Sequence, residues 1–411
     1  MGGAAVTTSA ERIRAWTGPT VLSFGFRPFF LAGAIWAALA MVLWVAMLAG
    51  RDVLPTAFDP VSWHAHEMLF GYLGAVMAGF LLTAVPNWTG SLPISGWPLL
   101  GLALLWGLGR VAVAVSALLP WLVVALADLA LPLALAVFLA REIVAGRNWR
   151  NLPVLVLLVG WIVANASFHL EAAQGGFPAR GVGLRTGLAA AIMLISLIGG
   201  RVVPSFTRNW LAQRRATRLP MPFGRADVLV LALTLVALTV WVFWPDQSVT
   251  AVVCGLAALA HLWRLARWQG IQTGAEALVW VLHAAYVFVP LGFLAVAAGV
   301  VLPGLAPTAQ HLWMAGAVGL MTLAIMTRAS LGHAGRPLHA TRPIAALYLA
   351  LIVSIAARFA AGVLIGQDWL LHLAAAAWFL AFGGFAAIYW PILTQPKSAP
   401  RRLSGAGPTR R

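Results

Sequence analysis

Apolar runs of about twenty residues recur along the whole of this chain, separated by short segments that hold most of its charge. A helix rises about 1.5 Å per residue, so roughly 20 residues cross the hydrocarbon core of a bilayer. Hydrocarbon offers the backbone no hydrogen-bond partner, which leaves helices and closed barrels as the only spanning structures. Charged residues make up 9% of the 411, against roughly 25% in a soluble domain. The fold class expected is therefore all-α, a polytopic integral membrane protein. Twelve transmembrane helices are predicted, over about 28–50, 60–86, 97–118, 120–144, 152–173, 184–203, 226–245, 248–267, 276–300, 308–328, 342–365 and 369–393. Residues 1–396 read as a single transmembrane domain, and 397–411 as a basic, disordered cytoplasmic tail.

Charge fixes the expected orientation. With the N-terminus placed inside, the loops on the inner side carry every basic residue except Arg51, Arg180 and Arg185 outside, and Arg110 and Arg358 within spans. Such asymmetry follows the positive-inside rule and predicts both termini in the cytoplasm. It also accounts for the net charge of +16 without a nucleic-acid partner, because the arginines are dispersed through loops. The lone cysteine, Cys254, excludes disulfides, iron–sulfur clusters and covalent haem attachment. No cleavable signal precedes Pro28, so the first span is expected to be retained.

Ionisable residues inside membranes are rare and commonly functional. Arg110 and Asp128 stand at equal depth on either side of one turn, as either a structural ion pair or, through Asp128, a proton relay. Seven histidines fall within spans. His64, His66, His169, His311 and His372 come from four spans and lie near the outer face, whereas His261 and His283 are nearly level in the inner half. Imidazole is the usual protein ligand of haem iron and of copper. The outer five are thus candidate metal ligands, and all seven are candidate cofactor-binding residues.

The segment WHAHEM (63–68) follows Asp59-Pro60, a helix start with Asp as cap and Pro at the first position. On a helix His64 and Glu67 share a face, while His64 and His66 point about 200° apart. Two sites are then expected, or one metal ligand with a neighbour that orients it. Glu67 is the candidate catalytic group, as proton donor beside His64; the alternative is a carboxylate favoured by the helix dipole. HEMLFGYLG (66–74) and HLWMAGAVG (311–319) share H-x4-G-x2-G, which marks His66 and His311 as candidates for equivalent roles. Arg358 either neutralises a haem propionate or bonds helix carbonyls. Arg201 and Arg328 either hold propionates of an inner haem on His261 and His283, or bind lipid phosphate. His333 is ambiguous. The inner ends TAVPNWTG (83–90), GRVVPSFTRNW (200–210) and MTRASLGHAGRP (326–337) read as helix-breaking loops, and the 20 tryptophans as an interfacial belt.

FRPFFLAGA (26–34), WHAHEMLFGYLGAVMAGFLLTAVPNWTG (63–90), GRVVPSFTRNW and MTRASLGHAGRP resemble the NnrS family, from residue 24 to about 390. The resemblance implies a multi-pass protein of the bacterial inner membrane that carries non-covalent b-type haem, with or without copper. It also implies a link to denitrification and to nitrosative stress. Three functions follow: a nitric oxide-consuming oxidoreductase resembling nitric oxide reductase, with quinol from the bilayer as electron donor; a haem protein that captures nitric oxide without turnover; or a transporter of metal, haem or a small anion. Transport predicts polar midplane residues on broken helices in paired halves. Two polar layers near the faces fit it less well.

Overall fold

The computed structural model describes residues 16–364 and 366–396; the expected tail at 397–411 lies outside the described residues. Among the described residues there is no strand, and twelve helices are long and apolar enough to cross a membrane. They are α1 (Phe26–Leu48), α2 (Pro60–Thr89), α3 (Trp97–Ala114), α4 (Trp121–Ala145), α5 (Trp149–Ala173), α6 (Val182–Gln213), α7 (Arg225–Phe243), α8 (Ser248–Ala266), α9 (Ala277–Val301), α10 (Thr308–His333), α11 (Arg342–Val363) and α12 (Trp369–Thr394). The end of the bundle nearer α1's first residue is called proximal below, and the other end distal.

The helices group in fours. Within α1–α4, α5–α8 and α9–α12 successive helices pack as antiparallel neighbours, and α4 on α5, α8 on α9 and α12 on α1 close the groups into a ring. The second helix of each four, α2, α6 and α10, is the most buried of the spans, and these three touch one another at the centre. Small residues let them approach, as is usual where lipid gives no hydrophobic drive to helix association. A Cβ on Gly187 of α6 would stand 2.8 Å from the Phe70 ring of α2.

Each central helix also contains a π-helical turn: Glu67–Tyr72 in α2, Ile195–Gly199 in α6 and Leu312–Leu320 in α10. Such turns widen the helix by one residue and rotate everything beyond them, and they recur at functional sites. Two of the three begin directly after a histidine, His66 and His311.

The proximal ends depart from expectation. Helix α2 continues through Pro86 to Thr89, α6 through Pro204 to Gln213 and α10 to His333, where breaks were expected. Side chains hold the Pro86 turn together: Asn87 Nδ2 donates to the Thr83 carbonyl and Thr89 Oγ1 to that of Val85. Neighbouring helices and local polar groups re-satisfy a backbone that proline alone would leave open. At the start of α2 the Asp59 carboxylate accepts from Val61 N and Ser62 N, both at 3.0 Å, as the Asp-Pro pair predicted.

Candidate metal and cofactor sites

The five distal histidines divide among three places. His64 and His311 line one cavity of ≈ 600 Å³, walled by the central helices and by α1, α7, α9, α11 and α12. His64 lies against Trp44, ring centroids 4.1 Å apart and planes 23° apart, which fixes its orientation. Its Nδ1 is buried and has no hydrogen-bond partner among the described residues. Arg358 also lines the cavity, with Nε in the same condition. Met41, Met68 and Met314 supply soft, polarisable walls, and Arg180 and Arg185 stand at the loop side.

His66 faces the other way, into a closed polar cluster with α3, α4 and α5. One nitrogen each from His66 and His169 and one oxygen of Asp128 lie within 4.8 Å of one another, a spacing that suits a metal ion. His169 Nε2 lies 3.0 Å and His66 Nε2 3.1 Å from Asp128 Oδ2. Asn165 Nδ2 donates to the same oxygen at 2.7 Å, and its Oδ1 faces His66 Nε2 at 3.1 Å. Arg110 joins the two carboxylates, bonding Glu67 Oε1 at 2.6 Å and pairing with Asp128. The level Arg110–Asp128 pair expected from the turn between their spans is therefore present.

His66 Nδ1 meets Glu67 Oε1 at 3.0 Å, and Nε2 faces Asn165 Oδ1 and Asp128 Oδ2, both at 3.1 Å. Each contact needs a hydrogen, so the cluster holds one proton more than a neutral imidazole supplies, on the ring or on a carboxylate. With that proton the charges of Glu67, Asp128 and Arg110 balance. Balance of this kind is what permits four ionisable groups to be buried together. A metal cation at His66 Nε2, His169 Nε2 and Asp128 would take the place of that proton and keep the balance.

Several expectations are corrected. Glu67 does not partner His64: its two oxygens are taken by His66, Arg110 and Trp36 Nε1 (2.6 Å). His66 is not the counterpart of His311; His64 shares the cavity instead. His372 is exposed on the back of α12, whose inward stripe runs through Leu371, Ala374, Ala375 and Trp378. Of the inner pair, His261 uses both nitrogens, on Thr234 Oγ1 (2.9 Å) and the Tyr286 hydroxyl (3.1 Å), which leaves none for iron. His283 turns Nε2 to Thr207 Oγ1 at 2.7 Å, and its buried Nδ1 has no partner among the described residues. Arg201 and Arg328 lie over the Phe223 and Phe206 rings, 5.2 and 4.2 Å from the centroids. His333 packs between Phe24 and Phe26 at the proximal end.

With this geometry in view, comparison with known families is decisive: the model of the family described as NnrS protein matches residues 20–397, nearly the whole chain. The chain belongs to the NnrS family. No curated protein matches it. The family match spans all twelve helices, so both the cavity and the ionic cluster of this NnrS-family chain lie inside the matched region. Trp44 is the site residue that sequence reasoning passed over. Asp128 was marked by its shared depth with Arg110, and Asn165 stands one helical turn from His169 on the same face.

Proposed function

We propose that this chain is a haem-containing protein of the bacterial inner membrane, both termini in the cytoplasm, that binds nitric oxide and reduces it. The central cavity is the haem pocket, and the His66–Asp128–His169 cluster is a copper site. One observation carries the reading: a buried imidazole nitrogen without a hydrogen-bond partner among the described residues, His64 Nδ1, belongs to a residue that shares a ≈ 600 Å³ cavity with His311 and Arg358. Volumes of roughly 300–1,000 Å³ with few polar groups are typical of cofactor sites. The residues present fit a b-type haem: imidazoles from α2 and α10 for the iron, apolar and methionine walls, and arginines for the propionates. When bound, haem would supply an iron to take up nitric oxide and pass it electrons, one of the two imidazoles yielding its place.

The chain's own residues do the rest. Trp44 orients His64, and Arg358 neutralises carboxylates. Reduction consumes two molecules of nitric oxide, two electrons and two protons and yields nitrous oxide and water. Quinol in the bilayer is the proposed electron donor. A buried central helix at every fourth span, three times along the chain, fits the paired halves of a transporter poorly.

The test is an optical titration of detergent-purified protein from haem-replete cells. The reading predicts stoichiometric iron, a Soret band that shifts on adding nitric oxide to the reduced protein, and release of nitrous oxide. A shift without nitrous oxide would leave a capture protein. A colourless preparation free of iron and copper would contradict the haem reading and restore the transporter.

A further inference from the structure

We infer that Tyr286 and His261 form a one-electron relay, joined to the central cavity by a continuous ladder of aromatic rings. From the proximal side the ladder begins at Trp268, 4.5 Å from the Tyr286 ring. Tyr286 lies 5.7 Å from His261, which stacks on Phe293 at 5.6 Å. Phe293 meets Trp313 at 4.9 Å, and Trp313 meets Trp241 at 5.1 Å. Trp241 is a wall of the cavity that holds His64 and His311. Every ring on the path is buried.

Aromatic contacts are ordinary in a packed core. The hydrogen-bond polarity at Tyr286 is what distinguishes this set. Thr234 Oγ1 donates to the Val230 carbonyl at 2.6 Å, so it can only accept from His261 Nε2. His261 Nδ1 is then a bare acceptor facing the Tyr286 hydroxyl. Arg264 Nη1 donates to that hydroxyl oxygen at 2.9 Å, and Asp227 and the Ser196 carbonyl fix Arg264, each at 2.8 Å. The phenol is left with its own hydrogen turned to an imidazole ready to receive it.

A strong one-electron oxidant of the metal(III) complex class at the cavity wall draws an electron from Tyr286 through the ladder. The phenolic O–H bond breaks, the proton passes to His261 Nδ1, and a neutral tyrosyl radical and an imidazolium remain while the oxidant is reduced by one electron. A reductant of the ascorbate or thiolate class returns the electron, and the proton moves back. The relay gives strongly oxidising equivalents in the cavity a sink other than its lining residues His64 and Met68, and it needs no haem to be tested.

The experiment uses the full-length protein in detergent, a photogenerated ruthenium(III) polypyridyl complex as oxidant, and freeze-quench electron paramagnetic resonance. With 4 tyrosines in the chain, ring-deuterated tyrosine identifies the radical type. A tyrosyl signal is expected in the unaltered protein, retained in Tyr348→Phe and Tyr389→Phe, and lost in Tyr286→Phe. Phe293→Leu, which touches no hydrogen bond, should also lose it by interrupting the ladder. Absence of a tyrosyl signal in the unaltered protein, its persistence in Tyr286→Phe, or an undiminished signal in folded Phe293→Leu would each overturn the proposal.

Discussion

Asp128 accepts from Arg110, Asn165 and His169 and lies against His66, so its carboxylate holds four side chains from three other helices. Removing one member of a buried ionic group leaves its partners uncompensated, typically at a cost of about 3–5 kcal/mol. Asp128→Ala is therefore expected to lower the thermal midpoint in detergent sharply and to abolish copper binding measured by elemental analysis. Asp128→Asn keeps the shape and should lose the metal with a smaller loss of stability. The sequence exposed part of this site: equal depth paired Arg110 with Asp128, and the helical angle between His64 and His66 separated two environments. It did not show which neighbours each would meet, because depth along a helix says nothing of the direction in which the helix turns a side chain. His372 has the right depth and the wrong face.

At the scale of the element, apolar length located all twelve spans, yet the π-helical turns at Glu67, Ile195 and Leu312 left no mark in composition. These turns rotate the residues beyond them relative to an unbroken helix. Tight helix contacts give a second test. A Cβ on Gly292 of α9 would stand 2.2 Å from Trp313 Cδ1 of α10, and overpacking a buried contact typically destabilises by about 1–3 kcal/mol. Gly292→Ala should lower the thermal midpoint, whereas Ala at Gly101, which meets nothing within 4 Å, should not. At the proximal end Glu276 caps α9 through Leu278 N and binds His339 Nδ1 (2.8 Å) and Ala340 N (2.9 Å), tying the α10–α11 loop to α9. Burial pushes the Glu276 carboxyl up, but the bonds from Ala340, His339 and Leu278 outweigh it and hold it below its ordinary value of 4.5. A lowered folded value means that the stabilisation is complete above the unfolded value and lost as pH falls through the folded one. The stability gap between the unaltered protein and Glu276→Gln should hold near neutral pH and close below 4.5, as read by pH-dependent unfolding.

For the whole molecule, the ring of three four-helix groups places α2, α6 and α10 at the centre, and the residues that bear chemistry follow from that placement. Helix α2 offers His64 to the central cavity and His66 to the ionic cluster, so a single helix joins the two proposed metal sites. Hydropathy shows that a helix spans but not which helix is surrounded, and the grouping in fours was not legible before the packing was known. The charge asymmetry predicts that reporter fusions at both ends of the chain are active only in the cytoplasm. The most direct test of the central claim is haem content of the purified protein, measured as pyridine haemochrome per chain in His64→Ala, His311→Ala and His372→Ala. The account predicts loss of haem in the first two variants and none in the third, because His372 lies on the exposed back of α12. Full haem in both His64→Ala and His311→Ala, or loss in His372→Ala, would contradict it.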